Sequence, residues 1–350
     1  MIVSAILKKN NNNLNLIRLI LAAMVIIGHS PILNGKSDFW ADPIGAFFNF
    51  TYSASLAVNV FFFISGLVVA NSLIINKNPG QFLIARFFRI VPAYIVVLLS
   101  SVFIIGPLVT TLPMNEYFNS AQIYIYIKQN LLFNIIYDLP GVFITNPYSS
   151  VVNGSLWTLT YEVGCYMVLF LLYLILRNKR KILYNVIILL VILEGFSPVK
   201  IMFNWLINNP DINLLPASFA FGCFLAFNAD EIKIDIYSVI AMVFLYYVFS
   251  NSQYVRLIFI LMSCVIVLYI SCLPIVNRFK PKYDISYGVY LWGFVIQQTL
   301  YHYTGHIYVG FHCLFSIVIS MILALLTHFV IEKSSIQLGK EIYPNTPVLV

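Results

Sequence analysis

What most constrains this chain is a series of apolar stretches long enough for helices to cross a bilayer, separated by polar connections. They run at about 14–33, 54–75, 90–109, 155–176, 182–197, 212–228, 235–250, 256–276, 285–303 and 310–331. A helix rises about 1.5 Å per residue, so roughly 20 residues match a hydrocarbon core of about 30 Å. The stretches at 182–197 and 235–250 are short enough for one of them to be tilted or re-entrant. Hydrophobic residues make up 61% of the 350 and charged residues 9%, more apolar surface than a water-soluble chain of this length buries. No alternating ten-residue pattern accompanies the runs, which favours helices over a barrel. The expected fold is all-α: a polytopic integral membrane protein of about ten transmembrane helices, one domain over residues 1–350 with no appended soluble domain.

The basic residues orient it. With a cytoplasmic amino terminus and ten alternating spans, sixteen of the 20 Lys and Arg residues fall on the inner side. Only Lys36, Lys128, Lys200 and Arg256 fall outside, the bias that the positive-inside rule expects. Both termini are then cytoplasmic. The net charge of +7 is thereby explained by topology, and no nucleic-acid partner is expected. Lys8, Lys9 and Arg18 ahead of a short apolar core also resemble a signal peptide. The following Ile27-Gly-His-Ser-Pro31 offers no small-residue cleavage site, so the segment is expected to stay as a span. The long connection 110–154 contains Ile123–Phe133, whose mixed aromatic and apolar character suits a helix lying at the interface. Cys165, Cys223, Cys264, Cys272 and Cys313 stand singly in apolar segments with no metal-ligand spacing, and no metal is expected.

Polar groups at membrane depth mark function more often than packing. Arg18 and His29 are eleven residues apart in the first span. At about 100° per residue they share a face, and they stand roughly 16 Å apart along the axis. A cationic mouth with an imidazole half a bilayer deeper describes a path. Arg86 and Arg89, placed on the inner loop before a third span that opens near Pro92, lie on neighbouring sides of a helical turn and can grip one anion. Guanidinium forks suit phosphate and pyrophosphate, although two arginines at an inner membrane edge also simply obey the positive-inside rule. Near the outer start of the fourth span, Glu162 sits among Trp157, Tyr161 and Tyr166. An acid beside aromatic rings resembles a sugar platform; an aromatic belt with one inter-helix hydrogen bond is the plainer alternative. His302, His306, His312 and His328 are read as structural.

Taken in order, Arg18-x10-His29, Asn59-Val-Phe-Phe-Phe-Ile-Ser65-Gly66, Arg86-x-x-Arg89 with Pro92-Ala-Tyr94, and Ser155-Leu-Trp157-x4-Glu162 resemble a known family. It is the membrane-bound acyltransferase-3 family, bacterial O-acetyltransferases of surface and lipid-linked carbohydrates. Asp284-Ile-Ser286-Tyr287-Gly-Val-Tyr290-Leu-Trp292 and Phe329-Val-Ile-Glu332 are similar too. The chain departs from many members in having Gly293 where they have histidine, and Lys333-Ser334 where they have proline.

The resemblance implies acetyl-coenzyme A, or a related acyl-coenzyme A, as cytosolic donor, a cell-surface or lipid-linked carbohydrate acceptor, surrounding membrane lipid, and a multi-pass location in the bacterial inner (cytoplasmic) membrane. Joined to the spacing, it assigns donor phosphates to Arg86 and Arg89 with Arg18 at the entrance. His29 is the catalytic base, with an acyl-histidine intermediate as the alternative. Glu162 either orients the sugar or pairs with His29, and Trp157 and Tyr161 stack on the acceptor ring. A non-enzymatic flippase of lipid-linked sugar also accounts for intramembrane Arg, His and Glu, but paired broken helices in two halves are lacking. A polysaccharide polymerase or ligase is the third possibility; its large charged outer loop has only 110–154 as a counterpart, with Glu116, Lys128 and Asp138.

Overall fold

A computed structural model describes residues 1–8, 10–35, 42–176, 181–197 and 210–342. Lys9, Lys36, Arg177, Lys179, Arg180 and Lys200, which enter the charge count, lie outside the described residues. Helices cover all ten apolar stretches: α1 (Leu14–Leu33), α2 (Ser53–Asn76), α3 (Pro79–Ser100), α4 (Trp157–Leu176), α5 (Lys181–Phe196), α6 (Pro210–Phe227), α7 (Ile236–Val248), α8 (Val255–Ser271), α9 (Ser286–Thr304) and α10 (Val309–Thr327). Among the described residues there is no strand, only isolated bridges such as Ile2 with Lys233. Among the described residues, five helical runs are long and apolar enough to cross a membrane. Two are extended by π-helical turns: α3 continues through Ser101–Ile105 to Val109, and α10 through His328–Glu332 into α11 (Lys333–Ile342). This is a membrane protein. Its outer surface fits lipid: α7 has no buried residue and exposes Tyr237, Phe244 and Tyr247. In water such a patch is a liability; in a bilayer it meets its solvent.

The start of α3 corrects the sequence reading. The third helix begins at Pro79, not near residue 90, because Asn78 caps it, its side chain accepting from the Gln81 amide, and Pro79 takes the first position. Arg86 and Arg89 therefore stand inside the helix, not on a loop, and Pro92 lies in its interior instead of its first turn. The expected interfacial segment forms an 11-residue helix, Ala121–Leu131, too short to cross a bilayer.

α2 is the axis of the bundle; nearly all of its length is buried. It packs closely on α6, where a Cβ on Gly66 would run into the Phe219 carbonyl. Ser218 Oγ donates to Asn59 Oδ1 at 2.9 Å across the same contact. Elsewhere α9 is pinned to α1 by Gln297, whose amide donates to the Ile26 carbonyl at 2.9 Å and to Ser30 Oγ at 2.8 Å. Asn153 Nδ2 donates to the Leu291 carbonyl at 2.8 Å, setting the entry of α4. In lipid, where burial gives no drive between helices, small-residue contacts and such bonds hold the assembly.

Gly66→Ala is expected to destabilise the protein by about 1–3 kcal/mol, the usual range for overpacking. Gly164→Ala, with no atom within 4 Å of the added methyl, is expected to leave it unchanged. Thermal unfolding in detergent, read by loss of the monodisperse peak, checks this; equal melting points would contradict the close crossing.

Candidate active site

Four elements bring their charges to one place at the bundle's Arg18 end. Asp284, just before α9, points one carboxylate oxygen at Arg89 (2.6 Å) and Arg18 (3.5 Å). Its other oxygen accepts from the Ser286 hydroxyl at 2.6 Å and the Ser286 amide at 3.2 Å. Glu332, in the π turn after α10, lies 3.5 Å from the second arm of Arg89 and 3.3 Å from His328 Nδ1. A π turn reorients side chains inside a helix and is often found at functional sites. Glu332 is 2% exposed and Asp284 11%, so these are buried charges whose cost is met only by their partners. Burial works against ionisation of Asp284, but Arg89 and Arg18, with the bonds from Ser286, outweigh it and hold the carboxyl below the usual carboxylate range.

Arg18, Arg89, Asp284, Ser286 and His328 of this group border a cavity of 320 Å³, with Glu332 behind them. Arg18, Arg86, Arg89 and Glu162 all face it, along with His328 and, from α11, Lys340. Val58, Phe61, Phe62 and Val68 give it an apolar flank. The two arginines of α3 are not equivalent. Arg89 is spent on Asp284 and Glu332, whereas Arg86 makes no ion pair or hydrogen bond among the described residues. Glu162 also faces this space, where Tyr166 donates to its carboxylate and Ser65 Oγ lies at 3.4 Å.

His29 faces a second, smaller chamber of 20 Å³, beside Ser55, Asn59, Ser155 and Trp157. Its ring meets Phe294 edge-on at 5.4 Å between centroids, and its Nδ1 is buried without a hydrogen-bond partner. Gly28 permits this position: a Cβ there would lie 2.8 Å from Cβ of Ala54, so only glycine lets α1 approach the start of α2 so closely. Val58 and Tyr290 border both spaces. The Tyr290 ring is held by its hydroxyl, which donates to the Ser155 carbonyl at 2.7 Å and bonds Thr158 Oγ1.

Of the residues singled out in sequence, Arg18, Arg86, Arg89 and Glu162 come together on the large cavity. His29 and Trp157 share the small one, and Tyr161 stands against Trp157 at 5.7 Å. The expected pairing of Glu162 with His29 is not formed. Glu162 lies five residues, about 7–8 Å, further along α4 than Trp157, and its bonds go to Tyr166 and Ser65. Asp284, Glu332, Tyr290 and Lys340 were given no role by the sequence reading, and His328, read as structural, faces the large cavity. The available signal was their rarity: Asp and Glu together number 13 in 350 residues, so an acid beside an apolar helix needs a partner. Among the described residues no three His, Cys, Asp or Glu side chains gather as a metal site.

The acyltransferase domain family matches residues 11–331, and the chain belongs to that family of membrane acyltransferases. It is an enzyme. It is similar to the O-acetyl transferase of Shigella phage Sf6, 27% identical over 335 residues covering 90% of this chain and 93% of that protein. Nodulation protein 10 of Rhizobium leguminosarum bv. viciae is 28% identical over 195 residues, 49% of this chain and 47% of that one. No solved structure matches it.

Asp284 is expected to stabilise the fold above its unfolded pKa of about 3.9, and to lose that contribution as pH falls through its lower folded value. Melting in detergent is therefore expected to be flat in this respect from pH 7 to 5, with an acid limb below about pH 4. Asp284→Asn is expected to lower stability at pH 7 by about 3–5 kcal/mol, the range for breaking a buried pair, and to shrink the acid limb. An unchanged melting profile would remove Asp284 from this role.

Proposed function

We propose that the protein is a ten-span enzyme of the bacterial inner membrane, with both termini cytoplasmic, moving an acetyl group from cytosolic acetyl-coenzyme A to a hydroxyl of a cell-surface or lipid-linked carbohydrate. The observation that carries the reading is the pair of adjoining cavities: one with three arginines, the other with His29 and Trp157. The large cavity fits the donor in kind, with an unpaired guanidinium at Arg86 for phosphate and an apolar flank for the thioester arm. Arg18 and Lys340 add positive charge on the same cavity. Arg89, tied to Asp284 and Glu332, keeps this end in shape while lending its field.

The thioester then meets the acceptor at His29. The acceptor hydroxyl oxygen attacks the thioester carbonyl while the imidazole takes the hydroxyl proton. The carbon–sulfur bond breaks, and the departing thiolate recovers that proton from His29, leaving the ester and coenzyme A. An imidazole can both take and return a proton, which suits both halves of this exchange. Trp157, with Tyr161 against it, offers the acceptor sugar an aromatic face. Glu162 balances Arg86 on the donor cavity and, with Tyr166 and Ser65, forms its polar floor. The flippase reading gains no specific support, as a transporter has no use for a base beside a donor site.

His29→Ala is expected to lower acetyl transfer from labelled acetyl-coenzyme A by roughly 10²–10⁴-fold with normal insertion. Arg86→Ala is expected to raise the donor KM about 10- to 100-fold, the loss of a charge-assisted bond of about 1.5–3 kcal/mol, with kcat less affected. Full transfer by His29→Ala, or an unchanged donor KM in Arg86→Ala, would overturn the respective assignment.

A further inference from the structure

We infer that the His29 chamber is an acyl-length selector, with Val58, Leu215 and Tyr290 as the residues that restrict the transferred group to acetyl. The inference rests on the transferase reading above and goes beyond it by assigning specificity to side chains outside the catalytic and phosphate-binding groups. The first observation is size. A chamber of 20 Å³ holds about one water-sized group, since a water needs roughly 10–15 Å³ measured in this way. A carbonyl delivered to His29 from the donor cavity brings its acyl tail with it. A methyl fits the space; each further methylene must displace a wall.

The second observation is that the walls are fixed. Leu215, on α6, is 1% exposed, and Val58, on α2, is 8% exposed. Tyr290 cannot swing aside freely, because its hydroxyl is bonded to both Ser155 and Thr158 and its ring meets Phe61 edge-on at 6.1 Å. Val58 and Tyr290 also border the donor cavity, so the acyl group must pass them to reach His29. With Val58 and Tyr290 on the approach and buried Leu215 beside His29, a longer acyl tail must displace a packed side chain, which is what size discrimination requires. Apolar pockets reject one extra methylene by about 10- to 200-fold.

The test uses membrane vesicles carrying the full-length enzyme with the cell's own envelope glycans, supplied with labelled acetyl-, propionyl- or butyryl-coenzyme A. The wild type is expected to prefer acetyl over propionyl by at least about 10-fold in kcat/KM. Leu215→Ala is expected to shrink that preference by about 10-fold or more, and Leu215→Val by a smaller factor, both keeping acetyl transfer. Wild-type enzyme that uses acetyl and propionyl donors equally overturns the selector without any variant. So does an unchanged preference in whichever of the two variants inserts normally. A wild type that transfers acetyl but whose preference does not depend on Leu215 thus fails the selector alone; one that transfers no acyl group from any donor overturns the transferase reading, and the selector with it.

Discussion

Everything at the Arg18 end of this bundle depends on one carboxylate. Charges in an apolar bundle are tolerated only when they are compensated within it. Asp284 provides that compensation for Arg18 of α1 and Arg89 of α3, while Glu332 and His328 close the arrangement from the turn after α10. Four segments distant in sequence are thereby fixed relative to one another, and the cavity they enclose keeps its mouth. The arrangement also decides which cation is left over. Arg89 is paired twice, whereas Arg86 makes no direct ion pair or hydrogen bond among the described residues and has Glu162 across the cavity, so its guanidinium stays open to an anion. A donor phosphate is the anion that the proposed reaction supplies.

The second feature of the layout is the partition. Arg18 and His29 lie on one helix face, yet they open into different spaces, with the Tyr290 ring and Val58 between. On this account the partition limits what reaches His29 from the donor side, since Val58 and Tyr290 border both spaces.

Much of this was legible in sequence where the signal is local. The apolar runs located ten helices, most ends within about two residues, because hydropathy and helix length are properties of a short window; the start of α3 and the ends of α8 and α10 fell further off. The common face of Arg18 and His29 followed from helical periodicity alone. Depth across helices was less accessible. α1 and α4 run in opposite senses, so Trp157 comes level with His29 while Glu162 drops to the donor cavity, and no spacing within one segment reveals that. The start of α3 was misplaced because Pro92 was taken as a first-turn residue. The stronger signal was Asn78-Pro79, a capping side chain followed by proline. Asp284 and Glu332 were missed as partners of Arg89 for a different reason: their pairing joins residues about 200 and 240 positions apart, which only the packed bundle brings together.

The account turns on donor and base meeting across the Tyr290 partition. The most direct measurement is a cryo-electron microscopy structure with a non-hydrolysable thioether analogue of acetyl-coenzyme A. Phosphate density against Arg86, with the acyl carbon past Tyr290 at the His29 chamber, is the predicted result. An analogue bound with its phosphates away from Arg86, or with its acyl end in a space that does not reach His29, would contradict it.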